Sequence, residues 1–131
     1  MHTVRFNHCH LPLLSHWVKE RNMDKSLLND LPEIGFLAFK DNKPIAAGFI
    51  RQCEGDYGLI DSFITNPTAL PSHRDEALNL VTKQLVIKAK AMRLKMLTAY
   101  TTDENTRVRA EKHEFVKLPH SVMVLDLSKK A

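Results

Sequence analysis

Residues 57–77, YGLIDSFITNPTALPSHRDEA, carry an apolar strand into a loop that opens a long helix. Leu59, Ile60, Phe63 and Ile64 make a short apolar run interrupted by Asp61 and Ser62. Asn66-Pro67 stops the run, because proline cannot donate to a ladder and restrains the residue before it. After the turn, Ser72 is an N-cap type of residue with Asp75 three positions on, a capping-box-like pair, and apolar residues then recur at helical spacing. A strand whose end meets a helix N-terminus is a place where backbone N–H groups can face an anion.

Downstream, Ala77, Leu78, Val81, Leu85, Ala89 and Met92 mark about five helical turns with one apolar face. Lys95 to Tyr100 reads as a strand, and the helix between it and the preceding strand predicts a parallel pair joined by a right-handed crossover. Thr102 to His113 is polar and helix-competent with Asp103 as N-cap, and Ser121 to Leu127 (SVMVLDL) reads as a last strand. Upstream, His2 to Phe6 alternates as a strand does, and Leu11, Leu14, Trp17 and Val18 predict a helix from about His10 to Arg21 with Trp17 as its core anchor. A shorter helix is expected over Met23 to Asp30. Ile34 to Phe39 and Pro44 to Gln52 flank the turn Lys40-Asp41-Asn42-Lys43 as a β-hairpin, and Glu54-Gly55-Asp56 turns into the opening stretch. The expected order is β-α-α-β-β-β-α-β-α-β.

The chain has 131 residues, 44% of them hydrophobic, which suits one domain, 1–131, with its own core. No apolar run has signal-peptide or membrane-spanning length, so the expectation is a cytoplasmic protein with no membrane partner. Cys9 and Cys53 stand in unrelated contexts and fit reduced thiols. A net charge of +4 favours an anionic partner of some kind. The lysines of the long helix read as a solvated outer face more readily than as a nucleic-acid surface. His8, Cys9, His10 and His16 lack the spacing of a zinc ribbon or finger, so no metal site is expected.

The order of elements, with PIAAGFIR, YGLIDSFITNP, the Ser72-to-Leu94 helix, LKMLTAY and AEKHEFV as successive landmarks, resembles the GNAT acyltransferase superfamily over nearly the whole chain. Its short format is similar to compact, phage-like GNAT proteins of bacteriophages. The resemblance implies an α+β fold with a mixed, mostly antiparallel central sheet flanked by helices and a parallel strand pair around the cofactor helix. It also implies an acetyl-CoA-dependent N-acetyltransferase (a transferase, or acyltransferase) with an amine-bearing acceptor, small molecule or protein, and a final strand through which such folds form homodimers.

In relatives the pantetheine arm of acetyl-CoA bonds to the fourth strand where the fourth and fifth strands splay, and the pyrophosphate rests on the following helix N-terminus. The residues so implied are Ser62, Phe63, Ile64 and Thr65 for the arm, and Ser72, His73, Arg74, Asp75, Glu76 and Ala77 for the pyrophosphate. Arg109 falls near the adenosine phosphate. The family's loop pattern, Gln or Arg, two residues, Gly, one residue, Gly or Ala, meets Ser72 first, Asp75 in place of glycine, and Ala77 last. Asp75 and Glu76 can also be read as partners of the helix dipole, whereas Arg74 offers a bidentate phosphate contact. Asp61 lies where many relatives place a general base, and the usual acid tyrosine falls on Ala110, leaving Tyr100 as the substitute. These departures keep a second reading open, a GNAT fold without activity that binds a host protein or nucleic acid.

Overall fold

A computed structural model describes residues 1–101 and 103–128. Five strands form one sheet in the order β1-β2-β3-β4-β5: β1 His2–Arg5, β2 Ile34–Lys40, β3 Lys43–Gln52, β4 Tyr57–Thr65 and β5 Met96–Ala99. The first four run antiparallel to their neighbours, and β4 and β5 run parallel. The parallel pair is joined by helix α2, Pro71–Ala91. Helix α1, Leu11–Glu20, precedes β2, and helix α3, Glu104–Lys112, follows β5. None of the helices among the described residues is long and apolar enough to cross a membrane.

Each face of the sheet has its own core. On one, Leu14, Trp17 and Val18 of α1 are buried against Phe6, Leu37, Phe49 and Ile64. On the other, Ala77, Val81, Leu85 and Ala89 of α2 are buried against Ala38, Ile45, Ile50 and Ile60. Those α2 positions are four residues apart, so they form one stripe on the helix. Trp17 is only 2% exposed, a core anchor as its spacing predicts.

Four sequence expectations are corrected. Helix α2 begins at Pro71 with Leu70 as N-cap and no side-chain cap, one residue before Ser72, because proline's fixed φ and missing N–H suit the first helical position. The Ser72 and Asp75 capping pair is therefore absent. The short helix of the Met23 to Asp30 region is a 3-10 turn over Lys25–Asp30, capped by Asp24 accepting from the Ser26 N–H at 2.9 Å. Ser121 to Leu127 forms no strand: alternation specifies which faces a strand would bury but supplies no partner for its N–H and C=O groups. Met123, for example, is 92% exposed there. Strand β1 ends at Arg5, one residue short of Phe6, and just beyond it the Asn7 side chain accepts from the Cys9 N–H and His10 Nδ1 accepts from the Asn7 N–H. This local cap occupies one of the four histidine and cysteine groups considered as metal ligands. Asp103 does cap α3, accepting from the Thr106 N–H at 3.1 Å. Thr102, in the expected helix, lies outside the described residues.

Candidate active site

The interruption at Asp61 and Ser62 is a β-bulge. Phe49 pairs with Asp61 and Ala47 with Ile64, so β4 spends one more residue than β3 over this interval. Ser62 takes φ 65°, left-handed backbone that costs energy for a residue other than glycine. The extra residue inverts the alternation. Ile60 and Phe63 therefore lie on the α2 side and Ile64 on the α1 side. The Phe63 ring lies directly over Gly48, where a Cβ would fall 2.6 Å from it.

Beyond the bulge β4 loses its second neighbour. Parallel pairing runs from Tyr57 with Met96 to Ile60 with Ala99 and then stops, leaving Asp61 to Thr65 with β3 alone. The Asn66 N–H donates to the Ile45 carbonyl at 2.8 Å, so Thr65, the preceding residue, directs its own N–H and C=O away from β3 and into the slot that β5 has vacated. Asp61 and Tyr100 each follow the last coupled residues, Ile60 and Ala99, and so flank the point at which the strands part. Tyr100 is 63% exposed.

The Asp61 carboxylate is held on both oxygens. Arg51 Nε donates to Oδ2 at 2.8 Å, and the Ser62 hydroxyl donates to Oδ1 at 3.0 Å. Arg51 also donates to the Asp30 carbonyl, so the 3-10 turn beside α1 fixes the guanidinium and, through it, Asp61. Sequence reading missed Arg51, although its place on β3 two residues past Phe49, the partner of Asp61, was a usable signal once the hairpin register was drawn.

Asn66 joins β4 to α2. Its side chain donates to the Pro44 carbonyl at 3.0 Å and accepts from the Thr68 N–H and hydroxyl at 3.0 and 2.8 Å. It is buried and satisfied, which sets the angle at which the loop reaches the helix. The first-turn N–H groups of α2 have no side-chain cap, so Ser72 and His73 present donors at the positive end of a helix of 21 residues. Arg74 turns toward its own loop, donating to the Ala69 carbonyl at 3.2 Å. Asp75 is paired with Arg109 of α3 at 2.9 Å, and Glu76 with Lys40 at 3.5 Å. The Arg109 side chain is only 11% exposed and its Nε is buried with no partner. Ala77 is fully buried against the sheet.

Asp61 to Thr65 thus lead to the first turn of α2, with Tyr100 following the end of β5, whereas Arg109 of α3 reaches α2 at Asp75. A strand edge ending at a helix N-terminus suits an extended ligand with amide groups along its length and an anion at one end.

No family model matches the sequence, and no curated protein matches it significantly. Solved structures do match the fold. TTHA1254 from Thermus thermophilus superposes with a TM-score of 0.74 at 15% identity, covering 99% of this chain and 100% of the other. A predicted acetyltransferase with acetyl-CoA from Clostridium acetobutylicum gives 0.62 at 14% identity over 95% of each chain. Aminoglycoside antibiotic 6'-N-acetyltransferase AAC(6')-IG from Acinetobacter haemolyticus gives 0.59 at 19% identity over 100% of this chain and 99% of the other. The fold is the GNAT fold.

In this fold β4 carries the bulge and α2 follows it across the Asn66 loop. Asp75, in the second turn of α2, is turned onto Arg109. That pairing offsets the negative charge which Asp75 adds to the helix N-terminus.

Proposed function

We propose that this chain is an acetyl-CoA-dependent N-acetyltransferase acting on a primary amine. The observation that carries the reading is the β4 edge from Asp61 to Thr65, left open by β5 and leading to an uncapped α2 N-terminus. The residues fit such a donor. Thr65 offers a backbone N–H to an amide-bearing arm while its C=O accepts from Arg21 Nε at 3.2 Å, Ser72 and His73 offer N–H groups to a diphosphate, and the orphaned Arg109 Nε is a buried donor beside Asp75 that an anionic oxygen would satisfy. Solved GNAT-fold acetyltransferases, one of them with acetyl-CoA, support the same reading.

Bound acetyl-CoA supplies an acyl thioester and a thiolate leaving group. The chain's task is to place the amine, take its proton and return one. Asp61 is the proton acceptor: the Ser62 hydroxyl, already donating to Oδ1, passes its proton to the carboxylate as it takes one from the amine. Arg51 keeps the carboxylate from rotating away. Tyr100, across the opening, carries the hydroxyl that protonates the leaving sulfur.

Isothermal titration with acetyl-CoA tests the reading. Micromolar binding, weakened about tenfold in Arg74→Ala, is the expected result. No binding at millimolar acetyl-CoA overturns it and leaves a GNAT fold serving as a binding protein.

A further inference from the structure

Arg51 is held by two elements at once and has a donor left over. Its Nε donates to Asp61 Oδ2 at 2.8 Å, and its Nη2 donates to the Asp30 carbonyl at the end of the 3-10 turn. Nη1 makes no hydrogen bond among the described residues, and the side chain is 44% exposed, so that end of the guanidinium is open to a ligand. Asp61 is its one carboxylate partner within ion-pair distance among the described residues. A guanidinium fixed in this way has already lost the freedom that binding a ligand would otherwise cost it.

The position of the free donor restricts what it can bind. On the Asp61 carboxylate Arg51 takes one oxygen and the Ser62 hydroxyl the other, at 2.8 and 3.0 Å. The two oxygens share one carbon, so a group held by Arg51 lies only a few bonds from an amine that meets the Ser62 hydroxyl. Arg51 and Asp61 offset each other in charge, and the donor that remains takes an anionic oxygen best. A carboxylate close to the reacting amine meets both conditions. A diamine or polyamine instead sets a second cation against the guanidinium.

We propose that Arg51 selects the acceptor, a free amino acid whose carboxylate binds Nη1 while its amine faces Ser62 and Asp61. The proposal rests on the acyltransferase reading given above and adds to it the class of the amine. The carboxylate takes no part in the transfer. The acetyl–sulfur bond is exchanged for an acetyl–nitrogen bond, the amine's proton passes to Asp61, the leaving sulfur takes one from Tyr100, and the N-acetylated product keeps its carboxylate on Arg51. In the sequence Arg51 reads only as the end of a strand, because its second anchor lies twenty-one residues earlier.

The test compares kcat/KM, measured by thiol release at saturating acetyl-CoA, for the protein amino acids and for the amines that their decarboxylation gives. Wild type, Arg51→Lys and Arg51→Ala are used, with thermal unfolding showing that each is folded. The readout is the ratio of amino acid to amine within one protein, so a general loss from a less firmly held Asp61 cancels. For its best pair, wild type is expected to prefer the amino acid by about tenfold or more, Arg51→Ala to fall to parity, and Arg51→Lys to keep part of the preference, since it retains the charge without the fork. A preference for the amine in wild type, or a ratio unchanged in Arg51→Ala, overturns the selection. Titration of the N-acetylated amino acid into protein saturated with CoA asks the same question without turnover: affinity about tenfold weaker in Arg51→Ala is expected, and equal affinity overturns the proposal. Acetyl-CoA binding with turnover of amines but not of amino acids removes the selection and keeps the acyltransferase reading, whereas absence of acetyl-CoA binding removes both.

Discussion

Asp75 Oδ1 lies 2.9 Å from Arg109 Nη2, and this pair fastens the first turns of α2 to α3. The aspartate is open to solvent while the arginine is largely enclosed, so the two partners do not lose equally when the pair is broken. Removing Asp75 leaves an enclosed guanidinium without its counter-ion. Asp75→Ala is expected to cost about 1 kcal/mol in urea unfolding without ligand. Saturating CoA should recover most of this loss, because a phosphate oxygen can take the place of the carboxylate. An equal loss with and without CoA would separate Arg109 from the cofactor.

At the mouth of the slot the Asp61 carboxylate accepts from the Ser62 hydroxyl at 3.0 Å. Asp61→Asn keeps the shape and removes the proton acceptor. Turnover is expected to fall by about 10²-fold or more while acetyl-CoA affinity stays within about twofold. Unchanged turnover, measured by thiol release, would take Asp61 out of the chemistry.

Gly48 is required by the bulge across from it. A Cβ at this position would meet the Phe63 ring at 2.6 Å and Val81 Cγ1 at 2.8 Å. Gly48→Ala is expected to destabilise by about 1–3 kcal/mol, and adding Phe63→Ala should recover part of that loss. Additive losses in denaturant unfolding would show that the ring is not what excludes the methyl.

His113 ties α3 to α2 through a 3.2 Å bond to Asn79. Burial, then the charges of Arg109, Lys112 and Lys83, hold its pKa below the ordinary 6.5. The unfolded chain therefore binds more protons than the folded one in the window just below 6.5, and stability falls as pH drops through that window. His113→Gln is expected to flatten this part of a stability-against-pH curve, and an unchanged slope would assign the dependence to other groups.

The sheet was legible because its signals are local. The Lys40 to Lys43 turn fixed the hairpin, and the helix between β4 and β5 required them to run parallel. The bulge was half legible: Asp61-Ser62 broke the apolar run, but an extra residue shows only against the register of β3. The α2 start was misread because Ser72 and Asp75 satisfy a capping pattern, while Pro71 at the first position and the pull of Arg109 on Asp75 decide otherwise. Arg51 becomes legible as a site residue only once the register of β3 against β4 is drawn, since that register brings it to Asp61. The last apolar segment was read as a strand from its alternation alone, and alternation names no partner.

If the open edge of β4 receives the donor's arm, Thr65 reports on it, because its N–H points into the slot. Amide hydrogen exchange at Thr65 should be followed with and without saturating acetyl-CoA, using Ile64 and Ile50 as references. Thr65 exchange is expected to slow about tenfold or more on binding while the references change little. Unchanged exchange at Thr65 in a protein saturated with acetyl-CoA would contradict an arm seated on β4.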